Sequence, residues 1–133
     1  MKTHYTVALA MIAGFGLGAV AVQSLHAQAK PPVYVVAEID VTNPDAYGKE
    51  YAPKVREVIK AHGGRLLAVG GAGGMAGKVT TIEGETPKRV ALQQWESMEK
   101  LQAYRNDPKF KELRQIGDKY AKFRSYAVEG VAQ

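Results

Sequence analysis

Residues 33–41 (VYVVAEIDV) alternate without a break. Val33, Val35, Ala37, Ile39 and Val41 fall on one side of an extended chain, and Tyr34, Val36, Glu38 and Asp40 on the other. A period of two with β-branched residues specifies a strand with one wholly apolar face. That face has to be covered by another layer. The opposite face is mixed, too apolar to be left entirely to water. The chain is thereby committed to a sheet, and whatever helices follow have at least one sheet face to bury.

The rest of the chain supplies those layers. Thr42-Asn43-Pro44-Asp45 is a helix start: Asn43 caps, Pro44 fits the first helical position and Asp45 complements the dipole. Tyr47, Tyr51, Val55, Val58, Ile59 and His62 recur at helical spacing, with Pro53 inside the stretch to bend or split it. Gly63-Gly64 ends it. Residues 65–69 (RLLAV) predict a second strand, which runs into the glycine-rich loop 70–77 (GGAGGMAG). Residues 78–83 (KVTTIE) read as a short strand or hairpin arm, and residues 89–96 (RVALQQWE) as the third main strand. Ser97 caps a helix through Met98, Leu101 and Tyr104. Asp107-Pro108 restarts it, and Phe110, Leu113, Ile116, Gly117 and Tyr120 carry the apolar stripe onward. Residues 124–131 (RSYAVEGV) predict the last strand.

The order β-α-β-β-α-β predicts an α+β domain of the ferredoxin-like, split βαβ type, a four-stranded antiparallel sheet with both helices on one face. Two helices leave the other sheet face open. That face carries Tyr34, Val36 and Glu38, with Leu92 and Gln94 expected beside them. A second copy laying its own sheet against it is the simplest cover, which predicts a homodimer.

The first 29 residues have a different character. Lys2 is followed by an uncharged apolar run over residues 7–22, then by Ala27-Gln28-Ala29, a small-x-small cleavage pattern. This is the order of a secretory signal peptide, and the run is shorter than the roughly 20 residues a membrane-spanning helix needs. The expected division is therefore a signal over residues 1–29 and one domain over residues 30–133, periplasmic or secreted, touching a membrane only during export. Lys2 is the one charged residue before position 30, so 17 of the 18 basic residues remain against 13 acidic ones. That modest positive balance and the expected export argue against nucleic acid as a partner. Absence of cysteine removes disulfides, thiolate metal sites and cysteine nucleophiles.

Several short elements, in order, are together distinctive. They are Asn43-Pro44-Asp45-Ala46-Tyr47, Ala61-His62-Gly63-Gly64-Arg65, Glu83-Gly84, then Ser97 followed by Tyr104-Arg105-Asn106-Asp107-Pro108-Lys109-Phe110, and finally Glu129-Gly130. With these the chain resembles domain-of-unknown-function family 1330, a branch of the dimeric α+β barrel superfamily, over nearly all of residues 33–131. The resemblance implies a homodimer with back-to-back sheets forming a barrel, and no particular activity. Gln93-Gln94-Trp95-Glu96 stands where the family usually has an apolar residue, a glutamate, a phenylalanine and a proline. If that glutamate acts as a base, Gln94 does not replace it.

Candidate site residues follow from the expected barrel. Glu38, on the mixed face of the first strand, points inside, where desolvation raises a carboxyl pKa and suits acid–base work. The competing role is an ion pair with a lysine or arginine. His62 is the single imidazole after position 29. It is either a general base or haem or metal ligand, or a cation closing a helix C-terminus. Tyr34, Gln94 and Tyr104 are candidate ligand-binding walls. The remaining aromatic residues read as core or interface, and the basic set from Lys109 to Arg124 as a solvated helix face. Residues 71–76 fit G-x-G-x-x-A, but that motif needs a helix next to receive a pyrophosphate, and the β-prone residues 78–83 supply none. A hairpin tip or barrel-rim lid is the expectation for this loop.

No metal or cofactor is expected. Two functions lead: a small-molecule binder or cofactor-independent enzyme using the interior of a homodimeric barrel, and a non-catalytic envelope dimer acting as a protein-interaction or structural module; a third, haem or metal binding, rests on His62.

Overall fold

The computed structural model describes residues 30–133; the expected signal over residues 1–29 lies outside the described residues. Strand β1 (Val33–Val41) has the predicted bounds and alternates as predicted, with its odd positions buried. Asn43 caps the short helix α1 (Pro44–Ala46), its side chain accepting from the Ala46 amide. A π-helical turn (Tyr47–Tyr51) then leads into α2 (Ala52–Ala61). Pro53 has no N–H to offer the carbonyl four residues back. The hydrogen-bond ladder slips by one residue just before it, and the Ala52 amide bonds to the Tyr47 carbonyl instead. The expected split at Pro53 thus takes the form of a π turn. It leaves Tyr47 and Tyr51 both buried.

Strand β2 (Arg65–Gly71) follows a glycine turn, and β3 (Arg89–Trp95) follows the long connection from residue 72 to 88. Ser97 caps α3 (Met98–Asn106) and Asp107 caps α4 (Pro108–Gly117), each through a side-chain oxygen. Strand β4 (Ala121–Glu129) closes the chain.

The sheet order is β2-β3-β1-β4, with every neighbouring pair antiparallel. β1 and β2 run the same way with β3 between them, which makes this the split βαβ, ferredoxin-like α+β fold. Several bounds differ from expectation: β2 extends to Gly71, two residues into the glycine loop, β3 stops at Trp95 and β4 at Glu129. β4 begins three residues early, at Ala121, because Val41 at the far end of β1 pairs with it. Residues 78–83 form no strand: apart from an isolated bridge between Gly70 and Gly77, this connection has no sheet partner, and Ile82 stays exposed. With no neighbouring face to bury Ile82, β propensity alone does not hold a strand.

The helices cover the face made by Val33, Val35, Ala37, Ile39 and Val41 of β1 and by Arg89, Ala91, Gln93 and Trp95 of β3. Trp95 is 0% exposed and anchors one core cluster with Ile59, Leu101, Tyr104 and Phe110; Tyr47, Tyr51 and Ala52 join the alanines of the sheet in a second. The opposite face holds Tyr34, Val36 and Glu38, as expected, with Val90, Leu92 and Gln94 in register across β3 and Arg124, Tyr126 and Val128 across β4. Tyr126 and Val128 remain 43% and 50% exposed.

Candidate functional site

Between the two core clusters lies a cavity of about 70 Å³. Its floor follows from strand register. Ala37, at the middle of β1, pairs with Ala91 on one side and Ser125 on the other. Three small side chains in a row leave a hollow in the covered sheet face, and all three line the cavity.

The walls are aromatic. Tyr47 and Tyr51 come from the π turn, their ring centroids 5.2 Å apart, and Tyr51 meets Phe123 of β4 edge-on at 5.6 Å. Tyr104 of α3 packs between Trp95 at 4.9 Å and Phe110 at 4.5 Å. Burial raises the phenol pKa of Tyr51 and Tyr104 well above the ordinary tyrosine value. It raises that of Tyr47 too, against the opposing pull of Arg89. All three phenols stay protonated near neutral pH and can donate.

Four guanidinium groups complete the lining, those of Arg56, Arg89, Arg105 and Arg114. Arg89 is 3% exposed. Its Nη1 donates to the Ala72 carbonyl at 2.7 Å, and its charge lies 5.2 Å from the centre of the Tyr47 ring. Arg56 donates to the Met75 carbonyl at 2.7 Å. Both thus hold the glycine loop against the body of the domain. Arg105 lies over the Phe110 ring, and Arg114 over Phe123 while paired to Asp118 at 3.0 Å. Arg114 therefore leaves the solvated helix face on which its neighbours suggested it. Gln93 also lines the cavity, but its side-chain oxygen already accepts from the Trp95 indole at 3.1 Å. Among the described residues the lining includes no aspartate, glutamate, histidine or lysine.

The five residues singled out from sequence divide between two layers. Tyr34, Glu38 and Gln94 share the open sheet face, where Tyr34 and Gln94 are direct partners. Glu38 accepts from Arg124 Nη1 at 3.3 Å across the β1–β4 pair, an ion pair within one chain. Tyr104 lines the cavity on the other side of the sheet. His62, at the end of α2, gives its Nε2 to Asp107 Oδ2 at 2.6 Å and meets Tyr104 edge-on at 6.1 Å. Among the described residues no three histidine, aspartate or glutamate side chains gather as a metal site. Sequence reasoning passed over Arg56, Arg89, Tyr47, Tyr51 and Ser125. One signal pointed to Arg89: it shares strand parity with Trp95, so burying the tryptophan brings the arginine inward as well.

Residues 32–131 match the family described as Domain of unknown function (DUF1330). Among solved structures the chain is similar to RPA0582, a protein of unknown function from Rhodopseudomonas palustris. The two share 14% identity over 85% of this chain and 93% of that one, with a TM-score of 0.56. The methylated RPA0582 protein aligns at 14% identity over 84% of this chain and 90% of that one, TM-score 0.57. Such distant likeness shows the fold alone. A weaker one reaches SnoaB, a cofactor-independent oxygenase from Streptomyces nogalater, at 9% identity over 77% of this chain and 96% of that one. Its TM-score of 0.42 is too low to bring an activity with it. No curated protein matches the chain significantly.

Proposed function

The chain belongs to the DUF1330 family of domains of unknown function, and on that premise we propose that it is an exported, homodimeric small-molecule-binding domain whose ligand occupies the cavity between sheet and helices. The cavity carries this reading: an apolar shell into which a few fixed polar groups converge is the usual form of a ligand site. Binding is favoured over acid–base catalysis because, among the described residues, the lining includes no aspartate, glutamate, histidine or lysine, and burial pushes its phenols up. The open sheet face supports the dimer. Among the described residues Leu92, Tyr126 and Val128 are apolar positions with no covering layer, and the same face carries the charge pairs Glu38 with Arg124 and Asp40 with Lys122 across the β1–β4 register. A twin related by a two-fold axis matches both the apolar stripe and the charges.

Native mass spectrometry of the protein purified from its own host tests all three parts. The expected species is a dimer of residues 30–133 carrying a small molecule of additional mass. A monomer overturns the dimer, an uncleaved N-terminus overturns processing after Ala29, and a protein that neither retains nor takes up any small molecule overturns the binding function.

A further inference from the structure

The cavity also says what kind of molecule it takes, and this step rests on the small-molecule reading above. Arg89 is a charged group that is almost wholly buried, yet among the described residues no carboxylate pairs with it. Its partners are neutral, the Ala72 carbonyl and the Tyr47 phenol, whereas buried charges are ordinarily paired with an opposite charge, because removing an ion from water costs several kcal/mol. Arg56 lies close enough to bear on the charge of Arg89 and donates to a loop carbonyl, with no carboxylate partner among the described residues. The other polar groups of the lining are biased the same way. The Tyr47 and Tyr51 phenols are hydrogen-bonded to Arg89 and Arg114, which leaves their O–H groups able to donate inward as that of Tyr104 can, and the Gln93 oxygen already accepts from the Trp95 indole. The chamber is thus rich in donors and positive charge, and among the described residues its lining holds no carboxylate to balance them.

We propose that the cavity binds the carboxylate of a small organic acid, with the Arg89 guanidinium as its anchor, Arg56 beside it and the tyrosine phenols as further donors. A guanidinium fork matches the two oxygens of a carboxylate. The apolar floor and walls, including Val35, Ala37 and Leu101, suit a carbon chain behind it. They do not suit a fully hydrated inorganic ion. Size narrows the class further. An engineered apolar cavity of about 150 Å³ holds benzene, and this one, at about 70 Å³, has half that space. A carboxylate with a short aliphatic chain fits without moving the walls.

The experiment compares sodium propionate with propionamide, its neutral isostere, and with inorganic phosphate, at matched ionic strength, on the intact protein. The readouts are the Arg89 Nε–H resonance and the melting temperature. Propionate is expected to shift the resonance saturably and raise the melting temperature, and propionamide and phosphate to do neither. Arg89→Gln is expected to weaken propionate binding by about ten-fold or more, the range for losing a hydrogen bond to a charged group, and Arg89→Lys to fall between. Should Arg89→Gln not fold, the three probes on the wild-type protein decide alone. If propionamide binds as well as propionate, the small-molecule reading survives and the carboxylate assignment falls. If phosphate displaces propionate at equal concentration, the site is a general anion site and the assignment falls as well. If none of the three binds, the assignment falls, while retained mass from the host still decides the broader function.

Discussion

His62 and Asp107 show how much one residue pair carries in this domain. Asp107 caps α4 with one oxygen, through the Lys109 amide, and with the other receives His62 from the end of α2. The His62 bond first, and then the Lys109 amide, hold the Asp107 carboxyl below the ordinary aspartate range. A carboxyl lowered on folding contributes stability above its unfolded pKa of about 4, and that contribution is lost as pH falls through the lower folded value. Asparagine keeps the cap but not the charge. Asp107→Asn is therefore expected to melt below wild type at pH 6, with the gap closing below about pH 4. Thermal melts of both proteins from pH 7 to 2.5 check this, and parallel curves would remove the pair from any pH-linked role. The same contact gives His62 an occupation that its position in the sequence left open between ligand and helix terminus.

At the scale of elements, the site is a product of register. Alternation made the covered face of β1 legible from sequence, because five apolar residues at a strict period of two leave no other assignment. The caps at Asn43, Ser97 and Asp107 were equally legible, since each sits directly before a helical stripe and each accepts a backbone amide as expected. The cavity was not. Its floor depends on Ala37 meeting Ala91 and Ser125, residues far apart in the chain whose partnership is set by a register that periodicity does not specify. Arg114 was misplaced for a related reason: a helical basic residue looks solvated until a strand brings an aromatic such as Phe123 beneath it. The register argument has a direct test. Ala91→Leu fills the hollow from the floor, so it is expected to expel the retained small molecule at a cost in stability of no more than about 1–3 kcal/mol, the range for adding methylenes inside a core. Mass spectrometry under native conditions and a urea titration report the two effects separately. A variant that keeps its ligand would place the binding site elsewhere.

For the whole molecule the decisive question is what lies on the open sheet face, and its answer is separable from the cavity because one chain forms the cavity alone. Val36 sits at the centre of that face, in register with Leu92 on β3 and Tyr126 on β4. It is only half-buried in a single copy, so a polar side chain there is tolerated by the fold. In a dimer closed by this face, the two-fold axis gathers the central residues of both sheets. Val36→Glu then buries carboxylates among apolar side chains and against their own symmetry mates. An unpaired buried charge costs about 3–5 kcal/mol, which weakens association by at least about a hundredfold. Sedimentation velocity at micromolar concentration is expected to show wild-type dimers and Val36→Glu monomers. Circular dichroism is expected to be unchanged between them, and each monomer to keep its ligand. Dimers that persist in Val36→Glu would place the interface on another surface. Loss of the ligand together with the dimer would mean that the chamber depends on the twin after all, through the sheet that forms the floor of one and the contact face of the other.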